Sequence, residues 1–199
     1  EMLVEILEDI ETKNNGEPIT FFEITTAAAL IAFNKFRSDI NIIETGLGGR
    51  LDATNIIEKK KLCIITKIGL DHTEFLGKEI ERIAYEKSGI FRRNTPIIIA
   101  KQDNKKALQT LLKSASNIGA KVIDIKKIPT YIEIGLNGNH QYENASTAYT
   151  AAKELLPSIS ENKARESLKK VSWHGRLEKL DLLQGISAAE FQGTGFTHS

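Results

Sequence analysis

Two short runs concentrate the residues best suited to chemistry. The first is Glu44-Thr-Gly-Leu-Gly-Gly-Arg-Leu-Asp-Ala-Thr-Asn55. Its glycines let the backbone turn sharply and approach a ligand closely. Glu44 could offer oxygen to a hard cation such as Mg²⁺, while a glycine-rich turn with Glu44 paired to Arg50 is the structural alternative. The run fails the dinucleotide fingerprint, because Leu51 stands where a third glycine or alanine belongs. The second run is Gly69-Leu-Asp-His-Thr-Glu74, where His72 could bind a metal or exchange a proton, or simply cap a loop.

Lys87 shares a helical face with Ile80, Ile83 and Ala84 at i, i+3 and i+4 spacing. Such a lysine snorkels or pairs with a carboxylate; alternatively, desolvation leaves a neutral amine able to take up CO₂. Asn144 stands beside a stripe of Ala145, Ala148 and Ala152, where its amide could read a base edge or be satisfied internally. Arg176, in Gly175-Arg-Leu-Glu178, suits a phosphate or a surface pair with Glu178.

These residues need elements to place them. Helices are expected over 3–10 with a stop at Asn14-Asn15-Gly16, and over 20–36, 79–90, 103–118 closed by Gly119, 140–156 and 160–171. Strands are expected over 39–44, 62–68, 95–100 and 121–125, with a further short one over 131–134 and a turn over 69–73. Strands alternating with helices give an α/β fold, a mostly parallel sheet flanked by helices on both faces. Ligands gather beyond the carboxyl ends of such strands, where both runs fall.

The net charge of +1 gives no support to nucleic-acid or anionic-membrane binding. The single cysteine, Cys63, cannot form an internal disulfide and reads as a small buried hydrophobe in a reducing, cytoplasmic setting. No apolar stretch reaches the ~20 residues of a membrane span. The start, Glu1-Met-Leu-Val-Glu5, reads as the middle of an amphipathic helix. The run 184–199 lacks a period and is expected to be a disordered or non-native tail.

In order and spacing these motifs resemble the folylpolyglutamate/dihydrofolate synthases of the Mur ligase superfamily. The stretches that match are Thr20-Phe-Phe-Glu-Ile-Thr-Thr-Ala27, the run 44–55, Thr66-Lys-Ile-Gly-Leu-Asp-His-Thr-Glu-Phe-Leu-Gly77, Glu86-Lys-Ser-Gly-Ile90, His140-Gln-Tyr-Glu-Asn-Ala145 and Gly175-Arg-Leu-Glu178. The resemblance implies an incomplete central ATP-binding domain, P-loop-NTPase-like, over 1–178, with 179–199 as the start of a C-terminal domain or a tail. It implies an ATP-dependent ligase, in folate biosynthesis and one-carbon metabolism, joining L-glutamate to a folate or dihydropteroate carboxylate through an acyl phosphate.

The resemblance further implies Glu44 and His72 as Mg²⁺ ligands, His72 thereby serving catalysis, and Lys87 as a carbamylated lysine. Asn144 and Arg176 would contact ATP, and a monomer is expected. The phosphate loop, Gly-x-x-x-x-Gly-Lys-Ser/Thr in type, is absent from this sequence, so the chain by itself is expected to be inactive. Two alternatives stand beside this one: a fragment of a cell-wall Mur ligase, and a non-catalytic nucleotide-binding remnant. A dehydrogenase is disfavoured by the glycine spacing.

Overall fold

A computed structural model describes residues 1–129 and 131–173. Helix α1 (Met2–Asn14) ends where Asn15 turns left-handed, at φ 51°. Helix α2 (Phe21–Lys35) starts from a reciprocal cap: the Thr20 side chain accepts from the Glu23 amide, and the Glu23 carboxylate accepts from the Thr20 amide. Ile6 and Ile10 bury against Ala28 to join the two helices.

The central sheet has three parallel strands, β1 (Cys63–Ile65), β2 (Ile97–Ile99) and β3 (Val122–Ile123), in that spatial order. Cys63 pairs with Ile97 and Ile97 with Val122. Ile97 and Ile99 point to one face, where they pack with Ile83 and Ala84 of α4 (Ile80–Ser88) and Ala107 and Leu111 of α5 (Lys105–Ile118). Ile98 alternates to the other face, is fully buried there, and lies on the side where α6 (His140–Leu155) meets β2. Each fully buried isoleucine or leucine contributes about 1.5–3 kcal/mol relative to exposure. The sheet is thus covered on both faces, as the alternation of elements requires.

Helix α5 is capped by Asn104, whose side chain accepts from the amides of Lys106 and Ala107, and closes at Gly119 with φ 69°. Helix α7 (Glu161–Lys170) is capped by Ser160. Leu168 of this helix packs with Ile128, Ile132 and Ala145 in a smaller cluster.

Three sequence expectations are corrected. Residues 39–44 form no strand. Ser38 instead bonds the Ile40 carbonyl and the Asn41 side chain, and Ile42 is 91% exposed. An apolar run becomes a strand only when a neighbour takes up its backbone groups, and no described strand does so here. Residues 131–134 are likewise a turn and coil rather than a strand. The stripe by which α6 packs is Ala145, Ser146, Thr147, Thr150 and Ala151, with Ala148 exposed. Its hydroxyls explain the shift: Ser146 accepts from the Ile128 amide and Thr150 from the Lys126 amide, so the polar residues dock the preceding segment.

Candidate functional site

The glycine-rich loop is built around Asp52. One carboxylate oxygen accepts from the amides of Gly46 (2.9 Å) and Leu47 (2.8 Å). The other accepts from the amide (2.9 Å) and hydroxyl (2.5 Å) of Thr54. Burial pushes the Asp52 carboxyl up, but these hydrogen bonds outweigh it and hold the group below the ordinary aspartate range. An internal carboxylate therefore satisfies the Gly46 and Leu47 amides.

The loop seats on the last turn of α4. The Arg50 amide donates to the Glu86 carbonyl (2.9 Å), and the Arg50 guanidinium grips the Glu86 carboxylate at 3.0–3.3 Å. A Cβ on Gly49 would stand 2.9 Å from the carbonyl oxygens of both Glu86 and Lys87, and one on Gly89 would stand 2.4 Å from the Arg50 Cα. Only glycine allows so close an approach of two backbones. Arg50 thus pairs with Glu86 and not with Glu44. Glu44 itself is exposed and has no hydrogen-bond or ion-pair partner among the described residues.

The histidine loop leaves β1 beneath a clamp. Gln102 accepts from the Ile68 amide (2.9 Å) and donates to the carbonyls of Thr66 (3.0 Å) and Ala100 (2.8 Å), tying the carboxyl ends of β1 and β2. Beyond it, His72 is left-handed at φ 50° and opens a single-turn helix, α3 (Thr73–Leu76), which starts at the last residue of the turn expected over 69–73. A non-glycine residue in that conformation carries strain of the kind found at functional positions. His72 Nε2 lies 3.6 Å from Asp71 Oδ2.

The two loops meet where Leu76 packs against Gly48, whose absent Cβ would be 3.0 Å from Leu76 Cδ2. A cleft of about 410 Å³ opens there, lined among others by Phe22, Leu47, Ala53, Phe75, Arg82 and Glu86. Its lining mixes apolar and aromatic side chains with two arginines, Arg50 and Arg82, and three carboxylates, Glu23, Asp52 and Glu86. Lys87, half-buried in the last turn of α4, has no hydrogen-bond or ion-pair partner among the described residues. No hydrogen bond or ion pair links Glu44 to His72. Among the described residues, no group of three or more His, Cys, Asp or Glu is arranged to hold a metal.

Asn144 belongs to a second cleft, of about 240 Å³, at the carboxyl ends of β1 and β2 with Thr66, Lys67, Ala100, Lys101 and His140. Its amide donates to Gln141 Oε1 (3.1 Å) but the residue is exposed, not a buried satisfied amide. The cations flanking this cleft are already paired, Lys67 with Asp103 and Lys101 with Glu143. Arg176 and the boundary expected at 178/179 lie outside the described residues, as does the expected tail.

Sequence reasoning missed Asp52, Gln102 and Glu86 as organisers. Asp52-Ala-Thr54 is a recognisable side-chain-to-backbone turn signal, whereas the contacts of Gln102 and Glu86 span 34 and 36 residues, and no local pattern announces them.

No family model matches the chain. It is 34% identical over 203 residues to the dihydrofolate synthase/folylpolyglutamate synthase of Haemophilus influenzae, covering 91% of this chain and 44% of that protein. Among solved structures, E. coli FolC in complex with DHPP and ADP matches with a TM-score of 0.78 at 29% identity, over 89% of this chain and 45% of that one. Mycobacterium tuberculosis folylpolyglutamate synthase complexed with ADP and AMPPCP matches at 0.76 and 28%, over 89% and 48%. The chain is a homologue of the folylpolyglutamate/dihydrofolate synthases, related to acid–amino-acid ligases, and spans about half the length of the curated relatives it matches.

Proposed function

We propose that the protein to which this chain belongs is an ATP-dependent ligase that joins L-glutamate to a folate or dihydropteroate carboxylate, and that residues 1–178 form most of its central nucleotide-binding domain. The observation that carries this is the seating of the glycine-rich loop on the last turn of α4, in contact with the histidine loop through Gly48 and Leu76. That packing puts the loops bearing Glu44 and His72, and the helix bearing Lys87, in one neighbourhood. The ADP and AMPPCP complexes of the related structures support nucleotide as a ligand, and the DHPP complex of E. coli FolC supports a pterin-type partner.

Glu44 fits a divalent ion: it is an exposed carboxylate that no described residue neutralises, and Mg²⁺ commonly takes one or two carboxylates with water and phosphate oxygens. His72 would be the second ligand, an unusual nitrogen donor for this ion. When bound, Mg²⁺ neutralises charge on the phosphoryl oxygens during transfer. Asn144, exposed at the sheet's carboxyl edge, reads the adenine edge, and Arg176 is assigned to the phosphates. The aromatic walls of the larger cleft, Phe22 and Phe75, suit the flat part of the acceptor, with Arg82 near its carboxylate. Lys87 is the carbamylated lysine, a cation converted into an anion. The protein is taken as a monomer, and a reducing cytoplasm accords with one buried free thiol.

The chain alone does not perform the ligation. It has no phosphate-loop sequence, and the Gly46 and Leu47 amides of its glycine loop are taken by Asp52. Calorimetric titration with ADP in the presence and absence of Mg²⁺ tests the nucleotide and metal assignments. Mg²⁺ is expected to strengthen binding; Asn144→Ala weakens it about tenfold, and Glu44→Ala removes the Mg²⁺ dependence. Binding that is indifferent to both substitutions overturns those assignments, and metal-dependent glutamate ligation by the chain alone overturns its expected inactivity.

A further inference from the structure

The smaller cleft, at the carboxyl edge of the sheet, has a residue behind its lining. His140 and Asn144 line that cleft, whereas Gln141, on the same first turn of α6, is 7% exposed and does not. Gln141 Oε1 accepts from Asn144 Nδ2 at 3.1 Å, the i, i+3 reach along a helix face. Gln141 Nε2 lies 3.1 Å from His140 Nε2. An amide nitrogen only donates, so that ring nitrogen accepts and the imidazole proton sits on Nδ1. Gln141 is therefore held at both ends of its amide, with the acceptor end turned to Asn144.

A carboxamide has two unlike ends, and its orientation decides what it can read. With one Nδ2 hydrogen given to Gln141, Asn144 keeps Oδ1 and a second N–H. That Oδ1 meets no donor among the described residues. An acceptor beside a donor matches the adenine edge, where the N6 amino group donates and N7 accepts. A six-oxo purine offers two acceptors there, O6 and N7. To meet O6 with a donor, Asn144 must turn its amide over. That sets Oδ1 against Gln141 Oε1, two acceptors with no proton between them. Turning Gln141 as well sets its oxygen against the accepting His140 nitrogen. The mismatch is relieved only if His140 also moves its proton to Nε2, so three groups must reverse together.

We propose that Gln141 is a positioning residue that sets the purine specificity of the nucleotide site. Its oxygen holds the Asn144 amide in the register that takes adenine and opposes a six-oxo purine. This deepens the proposed nucleotide reading and rests on Asn144 facing the base. Gln141 lies behind the lining and acts only through Asn144.

The test is calorimetric titration of the chain with ADP and with IDP, which carries an oxygen where adenine carries its amino group. Mg²⁺ is present throughout, and thermal unfolding is recorded on every variant. Wild type is expected to prefer ADP about fivefold, the low end for an amide–base pair. Gln141→Asn keeps an amide but withdraws it by one methylene, and Gln141→Met removes it. In both, the preference falls to within about twofold while the chain stays folded. Gln141→Glu, whose carboxylate only accepts, keeps the hold on Nδ2 and the wild-type preference. A merely structural Gln141 would weaken both nucleotides alike and leave their ratio unchanged. The wild-type ratio in folded Gln141→Asn or Gln141→Met, or its loss in folded Gln141→Glu, overturns this inference alone when Asn144→Ala abolishes the preference. A wild type without preference, or an Asn144→Ala variant that keeps it, overturns the adenine reading of Asn144 as well.

Discussion

The glycine loop and the histidine loop are neighbours built on opposite plans. In the glycine loop the polar groups are turned inward: Asp52 gathers the amides of Gly46, Leu47 and Thr54, and Arg50 locks onto Glu86. In the histidine loop the base is clamped by Gln102, but the tip is open. No atom lies within 4 Å of a Cβ built on Gly69, and Asp71 and His72 are exposed. The first is a finished scaffold whose geometry exists before any ligand arrives. The second holds one strained residue in solvent and leaves its contacts to be made. A site assembled from both has a half held by internal hydrogen bonds and a half open to a ligand.

Glycine substitutions should break this contrast most sharply. Gly89→Ala drives a methyl into the Arg50 backbone, where neither partner can yield, although the Gly89 backbone itself, at φ −60°, would accept alanine. A loss of about 3 kcal/mol in urea unfolding is expected, against less than about 0.5 kcal/mol for Gly69→Ala in the open loop. Equal losses would erase the distinction.

Asp52→Ala should follow, at about 2 kcal/mol, since it strands three amides and a hydroxyl at once. Acid sharpens the same point. The folded Asp52 carboxyl is held below its unfolded value of about 3.9, so its contribution is present above that pH and is lost as pH falls through the folded value. Wild type should therefore lose stability below about pH 4 more steeply than Asp52→Asn, and parallel acid-unfolding curves would contradict the assignment.

The smallest effect is expected at His72. Its left-handed backbone costs a β-carbon-bearing residue about 1 kcal/mol, so His72→Gly should leave the chain as stable or slightly more so. A marked loss in thermal unfolding would mean that His72 supports the fold, not the site.

Much of this was legible from local pattern. The caps at Thr20, Asn104 and Ser160, the stop at Gly119 and the apolar face of α4 each depend on residues within a turn or two of one another. The parallel direction of β1, β2 and β3 follows from apolar runs separated by amphipathic helices, whereas their spatial order came from the structure. Residues 39–44 show the limit. Their composition is that of a strand, yet strand formation is a property of a pair, and composition describes only one member.

The candidate site divides along the same line. Glu44, His72, Lys87 and Asn144 stood out by type and by position at element ends. Which partner each would have did not: Arg50 chose Glu86 over Glu44, and Gln102 reached back 34 residues to Ile68.

The sequence alone determined the helices, the α/β alternation and the order of the motifs, because capping, periodicity and glycine placement act over a few residues. The tertiary structure decided that Asp52 would fill the glycine loop, and that Gly49 and Gly89 would let it lie backbone to backbone on α4. Those outcomes depend on which distant surfaces come within about 3 Å, and hydrogen bonds and steric exclusion discriminate only at that range.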